Sequence, residues 1–375
     1  MWFFRSPSII YGEDSLSFLN NLPCSRILII TDRNIVSMGL AQKVIKELPE
    51  GSESMIIGNV PVEPTMSFIR SQAKTVNEFR PDLIIGLGGG SSMDCAKACF
   101  VSYERPDLDL YEITPMVNLD LRKKAKLVLI PTTSGTGSEC SWASVISEDD
   151  HKRKNELASP EIIADYAVLD PEMVKDLPWE IRRSTAVDAL THAVEGYTSA
   201  WKNPYSDIFS RKAVELITHN LPFLSTGEKD MGRIMDVHMG ASMAGLSFSN
   251  SQITLAHSLG HSLGALYRVP HGICVGIFLP YVIEFNYPES GSQYDELISM
   301  FPEEMRRKKL DGTVREFYRI IGMPTSIEKI GIKKEEYLQN METLVSLAME
   351  STGTTLNPRE TGRKEMEELF MKVIK

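Results

Sequence analysis

Three of the chain's seven histidines fall in the stretch AHSLGHSLGALYRVPHG. His257 and His261 are spaced i, i+4, which puts both rings on one face of a helix. His271 follows Pro270, a residue suited to the first turn of a further helix. Asp188 and His192, in DALTH, repeat the i, i+4 spacing on a stretch that otherwise carries Ala, Leu and Val. A carboxylate on an apolar helix face is costly to bury unless something pairs with it. Imidazoles and a carboxylate from helix faces and a helix start can converge on one divalent cation. A hydrogen-bonded core histidine is the competing reading for either pair alone; the two pairs together with Pro-His-Gly favour the metal. His219 and His238 lack such company and read as structural or surface residues. His151, in EDDHKRK, reads as part of a polar turn.

Two further stretches carry binding chemistry. GLGGGSSMD runs from a strand-like apolar segment into glycines and then a helix, with Ser91 and Ser92 as possible caps. Backbone N–H groups in such a turn approach a phosphate closely, and the helix N-terminus adds partial positive charge. A plain tight turn is the bland alternative. PTTSGTGSE repeats the pattern, with Thr132, Thr133, Ser134, Thr136 and Ser138 around two glycines. Two such loops on one sheet edge suit a ligand with a pyrophosphate. Asp32 ends the first clear strand. There it can accept hydrogen bonds from ribose hydroxyls and repel a 2′-phosphate, or cap the helix that follows.

The elements that must hold these residues have two textures. In the first half, RILIITD (26–32), SMIIGNV (54–60), DLIIGLGGG (82–90) and KLVLIP (126–131) read as buried strands. MSFIRSQAKTVNEF (66–79) and SSMDCAKACFVSY (91–103) read as the helices between them. Continuous apolar strands separated by helices predict a parallel sheet covered on both faces. From about residue 179 the β signal stops and 3.6-residue periodicity takes over. The expected organisation is an α/β domain over 1–178 and an all-helical domain over 179–375.

Composition sets the remaining limits. The chain is 42% apolar and 24% charged with a net charge of -10, so it lacks the basic stripe that nucleic acid requires. The one basic run, Arg122-Lys123-Lys124 with Lys126, reads as a solvated loop. The apolar start, MWFFRSPSIIYG, is too short and poorly flanked for a signal peptide, and no stretch suits a membrane span. Five cysteines, odd in number and without a C-x-x-C pair, fit free thiols in a reducing compartment, so a cytoplasmic location is expected.

Taken together, the stretches GLGGGSSMDCAKA, PTTSGTGSE, HKRK, LDPEMVKDLP, AVDALTHAVEGYTS, GLSFSNSQITLAHSLGHSLGALYRVPHG and TLNPRETGRKEMEELF resemble the iron-containing (group III) alcohol dehydrogenase family. The resemblance covers essentially the whole chain. It implies the dehydroquinate synthase-like fold, with a Rossmann-like α/β N-terminal domain with a parallel sheet, an all-α C-terminal domain and an active site in the cleft between them. It assigns the metal to Asp188, His192, His257 and His271, and makes His261 a non-ligand histidine near the substrate, a candidate proton relay. For the cofactor it implies Gly89, Gly90, Ser91 and Asp94 at the pyrophosphate loop, and Thr132, Thr133 and Thr136 along the dinucleotide. Ser141 and Lys154 fall on cofactor positions, Glu63 on an adenosine-side position, and Asp32 where members favouring NAD carry an acid. Ala143 and Phe248 fall on the substrate pocket.

The sequence departs from the family at Cys140-Ser141-Trp142, where many relatives read Val-Thr, and at Ala143, which replaces a polar residue. These changes bear on pocket shape. The expected activity is metal-dependent hydride transfer between NAD(H), with NADP possible, and a small primary alcohol, diol or aldehyde. An all-N/O ligand set without thiolate suits Fe(II) and also Zn(II). A glycerol dehydrogenase-like polyol oxidation and a dehydroquinate synthase-like lyase are the alternatives. The lyases resemble a Glu-His-His set and need more cations than this chain offers near the motifs. A catalytically inactive nucleotide-binding protein is a third, disfavoured by the intact Asp and three His. The resemblance also implies a homodimer or higher homo-oligomer.

Overall fold

The computed structural model describes residues 3–149 and 154–374. The chain divides into two compact units, Met1–Thr133 with Gly137–Asp176, and Ser134–Thr136 with Leu177–Lys375. The change of unit after Asp176 lies two residues before the boundary read from the sequence, and the short piece 134–136 clusters with the second unit.

The first unit is built on a six-stranded parallel sheet. Its strands are β1 (Ser8–Tyr11), β2 (Arg26–Ile30), β3 (Glu53–Ile57), β4 (Leu83–Gly88), β5 (Lys126–Pro131) and β8 (Tyr166–Leu169), in the order β1-β8-β5-β4-β2-β3. Helices α1 (Arg33–Ser37), α2 (Leu40–Lys46), α3 (Met66–Phe79) and α4 (Gly90–Glu104) connect the earlier strands. The apolar runs are continuous because both faces are buried. Leu28, Ile30, Ile84, Leu127 and Leu129 join α3 and α4 in one core cluster, while Ile27, Ile29, Ile85, Val128 and Ile130 join α1 and α2 in another. Each such side chain contributes about 2 kcal/mol by burial.

Helix α2 and four strands of this unit were not read from the sequence: β1, β8, and the hairpin of β6 (Ala143–Ser147) with β7 (Lys154–Ala158). The hairpin is short and polar-rich, and α4 holds it through side chains. Asp94 Oδ2 accepts the Val145 N–H at 3.0 Å, and Lys97 Nζ donates to the Ala143 carbonyl at 2.7 Å.

The basic run is not simply solvated. The buried Glu104 carboxylate accepts the backbone N–H groups of Lys123, Lys124 and Ala125 at 2.8–2.9 Å. Arg122 donates to the Glu161 carbonyl and pairs with Asp165. The loop is thus an anchor that leads into β5, whose end carries the hydroxyl-rich loop.

The second unit contains no strand among its described residues. Its long helices are α5 (Trp179–Thr198), α6 (Pro204–Leu224), α7 (Met231–Ser251), α8 (Leu255–Tyr267) and α9 (His271–Ile298). Smaller helices, α10 (Leu310–Ile321), α11 (Lys334–Gln339), α12 (Met341–Glu350), α13 (Thr352–Thr355) and α14 (Arg363–Lys372), complete it. No helix among the described residues is long and apolar enough to cross a membrane, and none of the five cysteines is in a disulfide.

Replacing Glu104 by Ala leaves three backbone donors without their carboxylate and is expected to cost about 2 kcal/mol. The measurement is a urea unfolding curve: the midpoint falls at unchanged slope. An unmoved midpoint would mean that water replaces the carboxylate at no cost.

Candidate metal and dinucleotide sites

Asp188 and His192 lie one turn apart on α5, His257 on α8, and His271 is the first residue of α9. Glycines let these helices close on one another. A Cβ on Gly272 would fall 1.9 Å from the Ser184 carbonyl oxygen of α5, so only glycine permits the start of α9 to touch that backbone. Gly260 does the same for α8 against Val275 of α9.

The result is a cluster. One ligand atom each from Asp188, His192 and His257 lies within 4.8 Å of the others. Asp188 Oδ1 is 3.5 Å from His257 Nε2, 3.3 Å from His271 Nε2 and 3.9 Å from His192 Nδ1. Asp188, His192 and His257 are buried, whereas the His271 side chain is 43% exposed. Asp188 Oδ1, His192 Nδ1 and His257 Nε2 are buried atoms without a hydrogen-bond partner. Buried polar atoms are nearly always satisfied, so three such orphans aimed at one point fit a cation. The His192 ring stacks between Phe248, at a centroid distance of 4.2 Å, and His257, at 4.4 Å. His261 is exposed, with its ring 5.1 Å from His271 and 5.7 Å from His257.

One buried acid beside the cluster was passed over in the sequence. Glu195, on α5, meets the His257 Nδ1 with its Oε2 at 2.5 Å. Its signal was the i+7 spacing from Asp188, which puts both acids on one face of the helix. His238 is also buried, with its Nδ1 3.0 Å from the Ser134 hydroxyl. That matches a structural role for it, while His219 is exposed.

In the first unit, Asp32 follows β2, the glycine turn follows β4, and the hydroxyl loop follows β5. These strands are parallel and adjacent in the order β5-β4-β2, so all three segments emerge at the same carboxyl edge. Gly88 has φ +146°, and a Cβ there would lie 2.7 Å from Ser92 and 3.6 Å from Asp32 Oδ2. Gly89 is the N-cap of α4 and supplies no side-chain cap, so the first N–H groups of a long helix stay available to an anion. Gly90 and Ser91 open the helix, the Ser91 hydroxyl donating to the Val62 carbonyl. Thr132 is buried, and Thr133 and Thr136 are half-buried.

Asp32 performs the cap: its Oδ1 accepts the N–H groups of Asn34 and Ile35. Its other oxygen meets only the Ser92 hydroxyl at 3.4 Å among the hydrogen bonds found, a weak contact that leaves acceptor capacity toward the glycine turn. Asp94 and Ser141 are both engaged within the first unit. Asp94 accepts from Ser138 and Val145, and Ser141 accepts from the fully buried Lys97. Their polar side-chain atoms fasten α4 to the hairpin and the loop before it. Glu63 is exposed, and Ala143 is half-buried at the start of β6. Lys154 opens β7, and the rest of HKRK lies outside the described residues.

The family description "Iron-containing alcohol dehydrogenase" matches residues 6–171, and "Fe-containing alcohol dehydrogenase family, C-terminal" matches residues 183–374. The chain belongs to the iron-containing alcohol dehydrogenase family. It is 33% identical over 370 residues to the NADPH-dependent butanol dehydrogenase of Clostridium saccharobutylicum, covering 96% of this chain and 95% of that protein. It is 34% identical over 372 residues to an alcohol dehydrogenase of Thermococcus barophilus, covering 96% of each. The solved iron-containing alcohol dehydrogenase of Thermococcus thioreducens superposes with a TM-score of 0.90 at 31% identity, over 100% of this chain and 99% of that one. The parallel sheet followed by a helical unit is therefore this family's fold.

The electrostatics of this iron-containing dehydrogenase's cluster, taken without metal, have a definite sign. Burial alone would raise the Asp188 pKa, but His192, His271 and His257 hold it well below the ordinary carboxylate range. Burial lowers that of His257, yet the Glu195 carboxylate and Asp188 outweigh it and lift the value from 6.5 to about 9. Burial pushes His192 and His238 down to about 3. The raised His257 contributes stability that is full below about pH 6.5 and is lost as pH rises through about 9. The depressed His192 and His238 contribute above about pH 6.5, and that stability is lost as pH falls toward 3. EDTA-treated protein should therefore have its highest Tm near neutrality, with an alkaline decline that His257→Ala removes. A Tm that climbs steadily from pH 7 to 9 would contradict this charge assignment.

Proposed function

We propose that the chain catalyses reversible hydride transfer between a nicotinamide dinucleotide and a small alcohol or aldehyde, with a divalent ion held by Asp188, His192, His257 and His271. The observation that carries this reading is the convergence of three buried, unpartnered donor atoms from Asp188, His192 and His257. Three imidazoles and a carboxylate suit Fe(II), the family's metal, and also Zn(II). When bound, the ion supplies Lewis acidity for the substrate oxygen, and the nicotinamide gives or takes the hydride.

The chain's own residues have separable tasks. Asp188 brings one negative charge to the ligand set, and burial keeps water from competing for it. Phe248, stacked on His192, offers an apolar surface beside the ligands. His261, exposed and next to His271, would pass the alcohol proton toward solvent. The first unit is the dinucleotide-binding part and the second the metal-binding part. Gly89, Gly90 and Ser91 at the start of α4 would receive the pyrophosphate, Thr132, Thr133 and Thr136 would line the dinucleotide, and Asp32 Oδ2 would accept from the adenosine ribose. Glu63, Lys154 and Ala143 complete the proposed contacts on the adenosine, cofactor and substrate sides; Asp94 and Ser141 act beneath them. Five cysteines without a disulfide favour a cytoplasmic enzyme, and the family's usual homodimer is the proposed assembly.

Protein purified without oxygen and loaded with Fe(II) should oxidise NADH in the presence of short aldehydes, and an EDTA-stripped sample should not. His257→Ala should lose the metal and lower kcat/KM at least a hundredfold, about 2.7 kcal/mol of transition-state stabilisation. Full metal retention in that variant would overturn the ligand assignment. Replacing Asp32 by Gly should shift the NADPH-to-NADH ratio of kcat/KM upward by about tenfold, roughly 1.4 kcal/mol. An unchanged ratio would reduce Asp32 to the helix cap it already provides.

A further inference from the structure

We propose that Glu195 is a positioning residue that fixes which nitrogen of His257 carries the proton, and thereby sets the affinity of the helical unit for its metal. The inference rests on the ligand assignment above and adds a residue to it that touches neither metal nor substrate.

The case begins with the carboxylate itself. Glu195 is 2% exposed, and both of its oxygens are engaged on α8. Oε1 accepts from the Thr254 hydroxyl at 2.9 Å, from the Ala256 N–H at 2.6 Å and, at 3.4 Å, from the His257 N–H. Thr254, the N-cap of α8, makes no side-chain cap bond of its own, so a residue of α5 caps the neighbouring helix. The link that delivers α8 is constrained as well. Gln252 has φ +76°, and the Ser199 hydroxyl, one turn beyond Glu195, donates to the Ser251 carbonyl at 2.5 Å. Glu195 therefore has no freedom to rotate its carboxylate away.

That leaves Oε2, which lies 2.5 Å from His257 Nδ1. An ionised carboxylate only accepts, so Nδ1 must donate. When the ring gives up one proton, as a metal ligand must, Nδ1 keeps its own and the lone pair opens on Nε2, the atom that faces Asp188 Oδ1 at 3.5 Å. Nε2 is the nitrogen a metal at Asp188 needs. A carboxylate in this outer position orients the ring and raises its basicity as a ligand.

The rival reading is that Glu195 is only a helix cap, and Glu195→Gln separates the two. The amide keeps the size and one acceptor. If its oxygen stays on the Ala256 N–H, its NH2 faces Nδ1 and drives the ring proton to Nε2, the ligating atom. If the amide flips, two N–H donors face each other at Ala256. Either way the metal site is weakened, whereas Thr254→Val removes one cap bond and leaves the His257 contact intact.

The experiment is calorimetric titration of the metal-free full chain with Co(II), alongside the visible Co(II) spectrum. Glu195→Gln should raise the Co(II) Kd by about 10–100-fold, and Thr254→Val should leave it at the wild-type value while lowering the Tm. Wild-type affinity in Glu195→Gln would overturn the proposal and leave a cap. A tenfold loss in Thr254→Val would overturn it too, because the cap alone would then control the site. Absence of Co(II) binding by the wild type would instead overturn the ligand assignment. Should Glu195→Gln not fold, the Zn(II)-loaded wild type with 15N-labelled histidine rings decides. A slowly exchanging Nδ1–H on His257, identified by its loss in His257→Ala, is required, and its absence sinks the idea.

Discussion

A carboxylate removed from solvent organises the helical unit. Asp188 stands in the middle of α5 among Ala, Leu and Val, and an isolated buried charge would cost several kcal/mol. Its neighbours are the imidazoles of α5, α8 and α9, and these hold it ionised. They can reach it only because the helices approach to backbone contact, which is why α9 opens with glycine directly after His271. The compensation is incomplete within the protein: Asp188 Oδ1 and two ring nitrogens still lack partners. A cluster left short of positive charge in this way has the electrostatics that a cation would complete.

The α/β unit presents few charges at its carboxyl edge. What it presents there are backbone N–H groups at the start of α4 and hydroxyls after β5, and the sheet has only to deliver them to one edge. The parallel order β5-β4-β2 does that through its backbone ladder. The only fully buried cation described there, Lys97, sits beneath the loops, where it ties Ser138, Ser141 and the Ala143 carbonyl together. Its Nζ is 3.8 Å from Asp94, and burial lowers its pKa despite that neighbour. Charge here serves the scaffold, and the chain's overall acidity is no obstacle to a dinucleotide.

Legibility in the sequence followed the range of the interaction. α3 is found over the residues its periodicity gives, Met66–Phe79, because an amphipathic helix is a local pattern. β2, β4 and β5 were legible because burial on both faces leaves continuous apolar runs. The i, i+4 spacings of Asp188 with His192 and of His257 with His261 put each pair on one helix, but not the helices on each other. Glu195 stayed hidden because its partner lies 62 positions away and nothing local marks a carboxylate as a cap for another helix. The hairpin of β6 and β7 stayed hidden for the same reason, being held by Asp94 and Lys97 rather than by its own apolar pattern. The basic run looked solvated because the acid that anchors it, Glu104, ends a helix about twenty positions earlier.

The short piece Ser134–Thr136 ties these two designs together in the chain. It leaves β5 as part of the hydroxyl loop, yet it clusters with the helical unit. The Ser134 hydroxyl meets His238 of α7, and a Cβ on Gly135 would lie 2.5 Å from that of Thr185, three residues before Asp188 on α5. The loop that carries Thr136 is therefore packed against the very helix that supplies two of the ligand-type side chains. Close packing against α5 and α7 gives Ser134–Thr136 a fixed place inside the helical unit, because a backbone approach that only glycine permits leaves no room to shift.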